Sequence, residues 1–324
     1  MAHCNLGSAL CDTGRQKEGI AELRQAIALD PNLAIPHFNL GIELRAKGEL
    51  DKAIAEYREA LRLKKDYAEA HYNLGNALKA KGRLDEAISE YREAIKFKKD
   101  KAEAYVNLGG ALQGEGKLDE AITLLRRAVT LQPDLAEAHC TLGLALRDKG
   151  EFRQALASLR RGHELGTARG LRWRNPSAEW LRECERLAEL DGRLPDLLAG
   201  KITPASPEAG IEWADVCALK RLHRTAARFY AAAFAARPGL MDDPNSDLLD
   251  CAACAAARAG CGEGEDVAKL DNKEKERLRG QALGWLQRVL AVRTRQPAGR
   301  EPPRRPRPPS AGPDAHYPGR TPVA

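Results

Sequence analysis

AEAHYNLGNALKAKGRLDEAISEYREAIKF, residues 68–97, reads as two helices joined at a glycine. From Ala68 to Ala80 good helix formers run unbroken except for Gly75, with apolar residues at helical spacing. Gly82 stands where a left-handed residue ends a helix. From Asp85 to Phe97, Ala87, Ile88, Tyr91, Ala94 and Ile95 fall on one stripe. Thirty-four residues to either side the same pattern returns. Asn-Leu-Gly stands at 5–7, 39–41, 73–75 and 107–109, and Thr-Leu-Gly at 141–143. Leu10, Leu44, Leu78, Leu112 and Leu146 keep the same step, as do Gly14, Gly48, Gly82, Gly116 and Gly150. Small residues recur at Gly19, Ala53, Ala87, Ala121 and Ala155, and large ones at Leu23, Tyr57, Tyr91, Leu125 and Leu159.

A glycine inside a helix costs about 1 kcal/mol relative to alanine, so its return at Gly7, Gly41, Gly75, Gly109 and Gly143 requires a packing reason. The alanine of the second helix is the expected facing residue, letting the two axes approach closely. One helix pair cannot bury its own apolar face. Pairs must stack, and stacked pairs form an all-α solenoid. The 34-residue period, the early Leu-Gly, the turn glycine and Ala…Tyr/Leu…Ala in the second helix resemble the tetratricopeptide repeat (TPR). Pro31 and Pro133 stand where that family ends a repeat, with Lys65 and Lys99 in their place elsewhere. The resemblance implies a right-handed superhelix of five units over residues 1–166, with the first helices lining a concave groove.

Beyond the repeats the pattern loosens. Pro176 to Leu198 reads as a helix broken near Gly192 and Pro195, within a connector at 167–207. Degenerate repeat-like pairs are expected over 208–296, with Glu208–Leu222 against Arg224–Arg237 and Ser246–Ala259 against Asn272–Val292. Nine of the 18 prolines fall in residues 297–324, a Pro/Arg-rich tail expected to be disordered. The run Leu249-Asp250-Cys251-Ala252-Ala253-Cys254-Ala255, followed by Leu270-Asp271-Asn272-Lys273-Glu274, resembles the C-terminal region of bacterial serine/threonine kinase–TPR fusion proteins. No His-Arg-Asp or Asp-Phe-Gly motif is present, and His223-Arg224-Thr225 fails at the essential aspartate. Met1 begins inside a first helix with no capping residue before it, so a piece of a longer protein or a truncated relative is expected.

Charge narrows the partner. The net charge is +6, but residues 1–160 hold 25 Lys/Arg against 24 Asp/Glu and residues 161–292 hold 20 against 20. The excess lies in the last 32 residues, so no basic face for nucleic acid is expected on the body. No apolar run approaches the ~18 residues of a membrane helix, and no secretory signal opens the chain. Eight scattered cysteines without that signal fit the reducing cytoplasm rather than a disulfide framework.

Chemistry finds little footing. Cys251-x-x-Cys254 with Cys261 lacks the second pair that structural zinc needs and sits in an alanine-rich helix. His3, His37, His71 and His139 stand one per repeat, about 10 Å apart, and are expected to pack between neighbouring first helices. Gly116-Lys117 is followed by Leu118, where a phosphate loop needs Ser or Thr. No catalytic residue, metal or cofactor is therefore expected.

What remains is the inner surface that the TPR resemblance implies. It presents Asn5, Asn39, Asn73, Asn107 and Thr141 as one row. Beside it run Cys4, Phe38, Tyr72, Val106 and Cys140, then Ser8, Ile42, Asn76, Gly110 and Leu144, with Arg45, Lys79, Gln113 and Arg147 further along. An asparagine amide both donates and accepts, matching a peptide backbone without reading its side chains. The row resembles the asparagine ladder in the TPR region of O-GlcNAc transferases; alternatively asparagine belongs to the general repeat pattern. Chaperone-tail TPR domains carry a lysine beside that row, where this chain has Cys4, Phe38, Tyr72, Val106 and Cys140. The expected function is non-enzymatic binding of a protein or peptide partner, with no nucleic acid, membrane or small-molecule substrate. The alternative is the docking or regulatory part of a serine/threonine kinase or O-GlcNAc-transferase-like enzyme.

Overall fold

A computed structural model describes residues 1–168, 176–243 and 246–294. The tail at 297–324, including Arg304-Arg305-x-Arg307, lies outside the described residues. Those described form fifteen α-helices, one short 3-10 turn at Pro238–Met241 and no strand. They divide into two compact units inside the ninth helix, at Leu142 and Gly143.

The first unit holds α1 (Ala2–Asp12), α2 (Gln16–Leu29), α3 (Ala34–Ala46), α4 (Leu50–Leu63), α5 (Ala68–Ala80), α6 (Leu84–Phe97), α7 (Ala102–Gly114), α8 (Leu118–Leu131) and the start of α9 (Ala136–Asp148). Helices pair within each repeat, and each second helix also packs on the next first helix: α2 on α3, α4 on α5, α6 on α7. The turn glycines do what their recurrence predicts, with Gly48 and Gly82 at φ +77° and +75°. Acidic residues in the first turn, such as Asp85 and Glu86, meet the positive end of the helix dipole.

The helix glycine works differently from expectation. A Cβ on Gly75 would meet Tyr91 Cε1 at 2.7 Å, and one on Gly41 would meet Tyr57 Cε1 at 2.6 Å. The missing side chain makes room for the large residue of the second helix, not only for a close approach to alanine. Tyr57, Tyr91 and Leu125 are fully buried as a result. Burial of each such side chain is worth about 2–3 kcal/mol, which outweighs the glycine penalty of about 1 kcal/mol.

The second unit holds the rest of α9 and α10 (Phe152–Ala168), α11 (Ser177–Leu198), α12 (Pro207–Leu219), α13 (His223–Ala236), α14 (Leu248–Gly260) and α15 (Asn272–Arg293). The sequence predicts a break near Gly192 and Pro195, yet α11 runs through both. Leu187, Leu190, Leu194 and Leu197 are buried on one side of it, and that packing offsets the hydrogen bond a proline removes. Phe152, Tyr230, Phe234 and Trp285 anchor the core of this unit. Ser206 and Asp271 cap α12 and α15 by accepting from Ala209 N and Glu274 N. Asp266 caps α13 from a distant loop, accepting from Arg224 N at 3.2 Å and Thr225 N at 2.8 Å.

Candidate functional site

The asparagine row lies along the first helices of the first unit, and its amides follow a rule. Asn39 Nδ2 donates to Ser8 Oγ at 2.9 Å and to Cys4 Sγ at 3.7 Å. Asn107 Nδ2 donates to Asn76 Oδ1 at 2.8 Å and to Tyr72 Oη at 3.2 Å. Both partners stand 31 and 35 residues upstream, on the preceding first helix. For Asn73 those positions are Ile42 and Phe38, which offer no acceptor, and Nδ2 turns to its own helix at Glu69 O, 2.9 Å away. For Thr141 the same positions are Gly110 and Val106, and its hydroxyl donates to Glu137 O at 2.8 Å. The row therefore alternates between bridges that staple one repeat to the next and side chains held by their own helix. Sequence reasoning placed the whole row on an open surface; the staples at Asn39 and Asn107 add a packing role. Asn5 is exposed, and Asn39, Asn73 and Asn107 are half-buried.

The flanking row is overlaid by residues that the sequence reading did not single out. Tyr67 and Lys101 precede α5 and α7 and lie over residues 29 positions upstream. The Tyr67 ring meets Phe38 at 4.8 Å between centroids, and Lys101 Nζ stands 4.5 Å over the Tyr72 ring. The position before each first helix was the available signal, since Leu33, Tyr67, Lys101 and Leu135 occupy it at 34-residue steps. Ile42, Asn76, Arg45 and Lys79 are half-buried. Arg147, in the second unit, is buried, with its guanidinium on Asp148 at 2.9 Å and Glu183 at 3.2 Å.

Tyrosines of the second helices bond the first helix of their own pair, in both units. Tyr91 Oη donates to Asn76 Oδ1 at 2.8 Å, and Tyr230 Oη donates to Asp215 Oδ1 at the same spacing of 15 residues. Fifteen residues before Tyr57 stands Ile42, and the Tyr57 hydroxyl is buried without a hydrogen-bond partner. Burial pushes its phenol far above the ordinary value, against the pull of the nearby Arg45 charge.

The histidines make hydrogen bonds that the sequence did not predict, and His139 Nε2 bonds Pro133 O at 2.9 Å. In the other three Nδ1 bonds the second helix of the same repeat: His3 on Glu22, His37 on Glu56 and His71 on Glu90, each at 2.6 Å. His71 Nε2 also bonds Lys65 O at 2.9 Å. Burial alone would lower its pKa, but the bonds to Glu90 and the carbonyl prevail and raise it. Nδ1 and Nε2 both facing acceptors is the geometry of an imidazolium.

Burial sets the protonation of several groups in the interior. Burial pushes the thiols of Cys140 and Cys217 up to about 12 and that of Cys184 up to about 11. Burial and the Arg258 charge hold His223 below its usual value. Among the described residues no group of three or more His, Cys, Asp or Glu could hold a metal ion. Among them, too, no helix is long and apolar enough to cross a membrane.

Comparison with known proteins follows the same outline. A family model described as TPR repeat matches residues 2–42, 43–82 and 75–116, and one described as tetratricopeptide repeat matches residues 100–168. No curated protein matches the chain. Among solved structures, MamA is 25% identical, covering 50% of this chain and 95% of its own, with a TM-score of 0.47. YrrB, described as a TPR protein with an unusual peptide-binding site, is 22% identical, covering 67% and 92%, with a TM-score of 0.42. PilF of Pseudomonas aeruginosa is 18% identical, covering 74% and 91%, with a TM-score of 0.47. Through residues 2–168, about half of its length, the chain belongs to the tetratricopeptide-repeat family.

Proposed function

We propose that the chain is a non-enzymatic scaffold that holds an extended segment or a helix of a protein partner along the first helices of its first unit. The observation that carries this is the alternation of the asparagine row. Asn39 and Asn107 spend amide donors on the fold, whereas Asn73 stands half-buried beside Ile42 and Phe38 with its amide turned onto its own helix. A polar amide among apolar neighbours is the pairing that recurs in peptide sites, where polar groups fix the backbone and apolar ones supply contact area. Arg45, Lys79 and Asn76 extend the same face and Asn5 opens it, while Arg147 stays outside it, a buried charge of the second unit fixed on Asp148 and Glu183. The near-neutral body favours a protein over nucleic acid, a membrane or a small molecule, and free cysteines fit the cytoplasm. The alternative, a docking part of a kinase or of an O-GlcNAc-transferase-like enzyme, rests for the kinase on residues 249–274 of the sequence and for the transferase on the asparagine row.

The test uses the full chain and peptides selected on it from a random display library. Asn73→Ala with Ile42→Glu should weaken a selected peptide tenfold or more, with the helical circular dichroism unchanged. Peptides that bind both forms equally would place the binding face elsewhere and refute the reading.

A further inference from the structure

The loop between α14 and α15 closes on the turn between α12 and α13, and the bonds that hold it there surround one histidine. Glu265 N donates to Arg221 O at 2.9 Å, and Asp266 accepts from the amides of Arg224 and Thr225. Those three bonds bracket His223, the first residue of α13. Gly264 presses on the same spot: a Cβ on it would stand 2.6 Å from Arg221 O and 3.1 Å from His223 Cδ2. Arg221 itself has φ +60°, a left-handed turn that Gly48, Gly82, Gly116 and Gly150 make in the repeats. A side chain takes that conformation only at a cost, so the loop is seated on a strained turn.

The ring beneath the loop sits in a place made for its neutral form. His223 is 3% exposed, and its Nδ1 is buried with no hydrogen-bond partner. A proton there would leave an N–H in the interior without an acceptor. Arg258 of α14 and Arg221 of the turn oppose a cation on the ring, while Asp266 and Glu263 of the loop favour one. Asp266 has already committed its two oxygens to the α13 amides. On α13 itself Arg224 follows the ring, and the positive end of the helix dipole falls on this first turn. Cys217 of α12 adds no charge, its thiol being pushed up to about 12, and Lys275 of α15 stands beside Gly262 of the loop. Burial is the largest of these influences and prevails with the cations, holding the ring below the ordinary histidine value.

We propose that residues 261–266 form an acid-sensitive latch, closed on the α12–α13 turn while His223 is neutral and released when the ring takes up a proton. Release gives the imidazolium water on both nitrogens and lifts Gly264 from the strained Arg221. It also returns the Arg224 and Thr225 amides and the Asp266 carboxylate to solvent. Val267, 4% exposed and part of the core, stays as the anchor on which the loop swings. The closed form binds the proton less well than the open one. It is therefore fully favoured above the ordinary histidine value of about 6.5 and loses ground as pH falls through that value toward the lowered one. One proton is linked, so the ratio of closed to open forms changes by at most about tenfold per pH unit.

Hydrogen exchange of the full chain, read by mass spectrometry and corrected for the intrinsic effect of pH on exchange, measures the latch. Between about pH 7 and about pH 5.5, protection of the amides in residues 221–226 and 261–266 should fall several-fold, and by no more than about thirtyfold. Residues 102–131, which carry no histidine, should keep theirs. His223→Leu leaves nothing to titrate at this place, so protection should stay level between the two pH values; His223→Gln serves if the leucine variant fails to fold. Equal protection of the latch at both pH values in the unsubstituted chain overturns the inference. So does a fall that survives in the His223 variants, which would assign it to Asp266 or Glu263. A fall shared by residues 102–131 would be a general loosening in acid and would refute a local latch.

Discussion

Tyr57 and Tyr91 hold the same position in adjacent repeats and should respond oppositely to loss of their hydroxyls. Tyr91 Oη donates to Asn76 Oδ1, whereas the position equivalent to Asn76 for Tyr57 is Ile42, and the Tyr57 hydroxyl is buried without a hydrogen-bond partner. Arg45 lies close to Tyr57 and acts on its oxygen by charge and as a donor, but a guanidinium cannot accept, so the phenol proton is the part left unsatisfied. A formed hydrogen bond nets about 1 kcal/mol, while a buried unsatisfied polar group costs about 1–3 kcal/mol. Tyr91→Phe should therefore destabilise by about 1 kcal/mol, since Asn76 Oδ1 keeps the amide of Asn107 as a second donor. Tyr57→Phe should be neutral or stabilising by up to about 2 kcal/mol, as the apolar ring keeps its place over Gly41. At roughly 2–4 °C per kcal/mol for a unit of this size, the two melting points should differ by roughly 2–12 °C. Urea titration and thermal melts of the full chain, followed by circular dichroism, measure it. Ile42→Asn supplies Tyr57 with the acceptor that Tyr91 has, so it should be tolerated about 1 kcal/mol better in the native background than in Tyr57→Phe. If Tyr57→Phe loses as much stability as Tyr91→Phe, the orphaned hydroxyl is not orphaned and the reasoning fails.

Two further outcomes separate packing from propensity and charge from shape. Gly75→Ala should destabilise by about 1–3 kcal/mol, because its Cβ would sit 2.7 Å from the Tyr91 ring, while Gly284→Ala, whose Cβ meets nothing within 4 Å, should stabilise by about 1 kcal/mol in the same melts. His71 has a raised pKa in the fold, so its contribution is fully present below the ordinary histidine value and is lost as pH rises through the higher one. Unfolding midpoints should accordingly fall between about pH 6 and pH 8 by more in the native chain than in His71→Gln; equal slopes would show that the bonds to Glu90 and Lys65 carry no charge.

The 34-residue period, the helix pairs and the turn glycines were legible because the contacts that create them are local. Gly75 meets Tyr91 sixteen residues on, and Gly82 takes its left-handed turn without help from afar, so each repeat writes its own constraints into its own sequence. The all-helical architecture was equally legible, since helical spacing and helix formers mark each element. The persistence of α11 through Pro195 was not, because the leucines that hold it pack on residues far away in the chain. Nor was the fate of each asparagine. Its amide turns outward to a neighbour or back onto its own helix according to what stands 31 residues upstream, and only stacking makes that distance a contact. The ring overlays at Tyr67 and Lys101 were hidden for the same reason. Leu6 and Leu40 read identically in the chain, as Asn-Leu-Gly, yet one is open and the other buried. Burial is a property of what lies on top of a residue, and that is decided by tertiary structure alone.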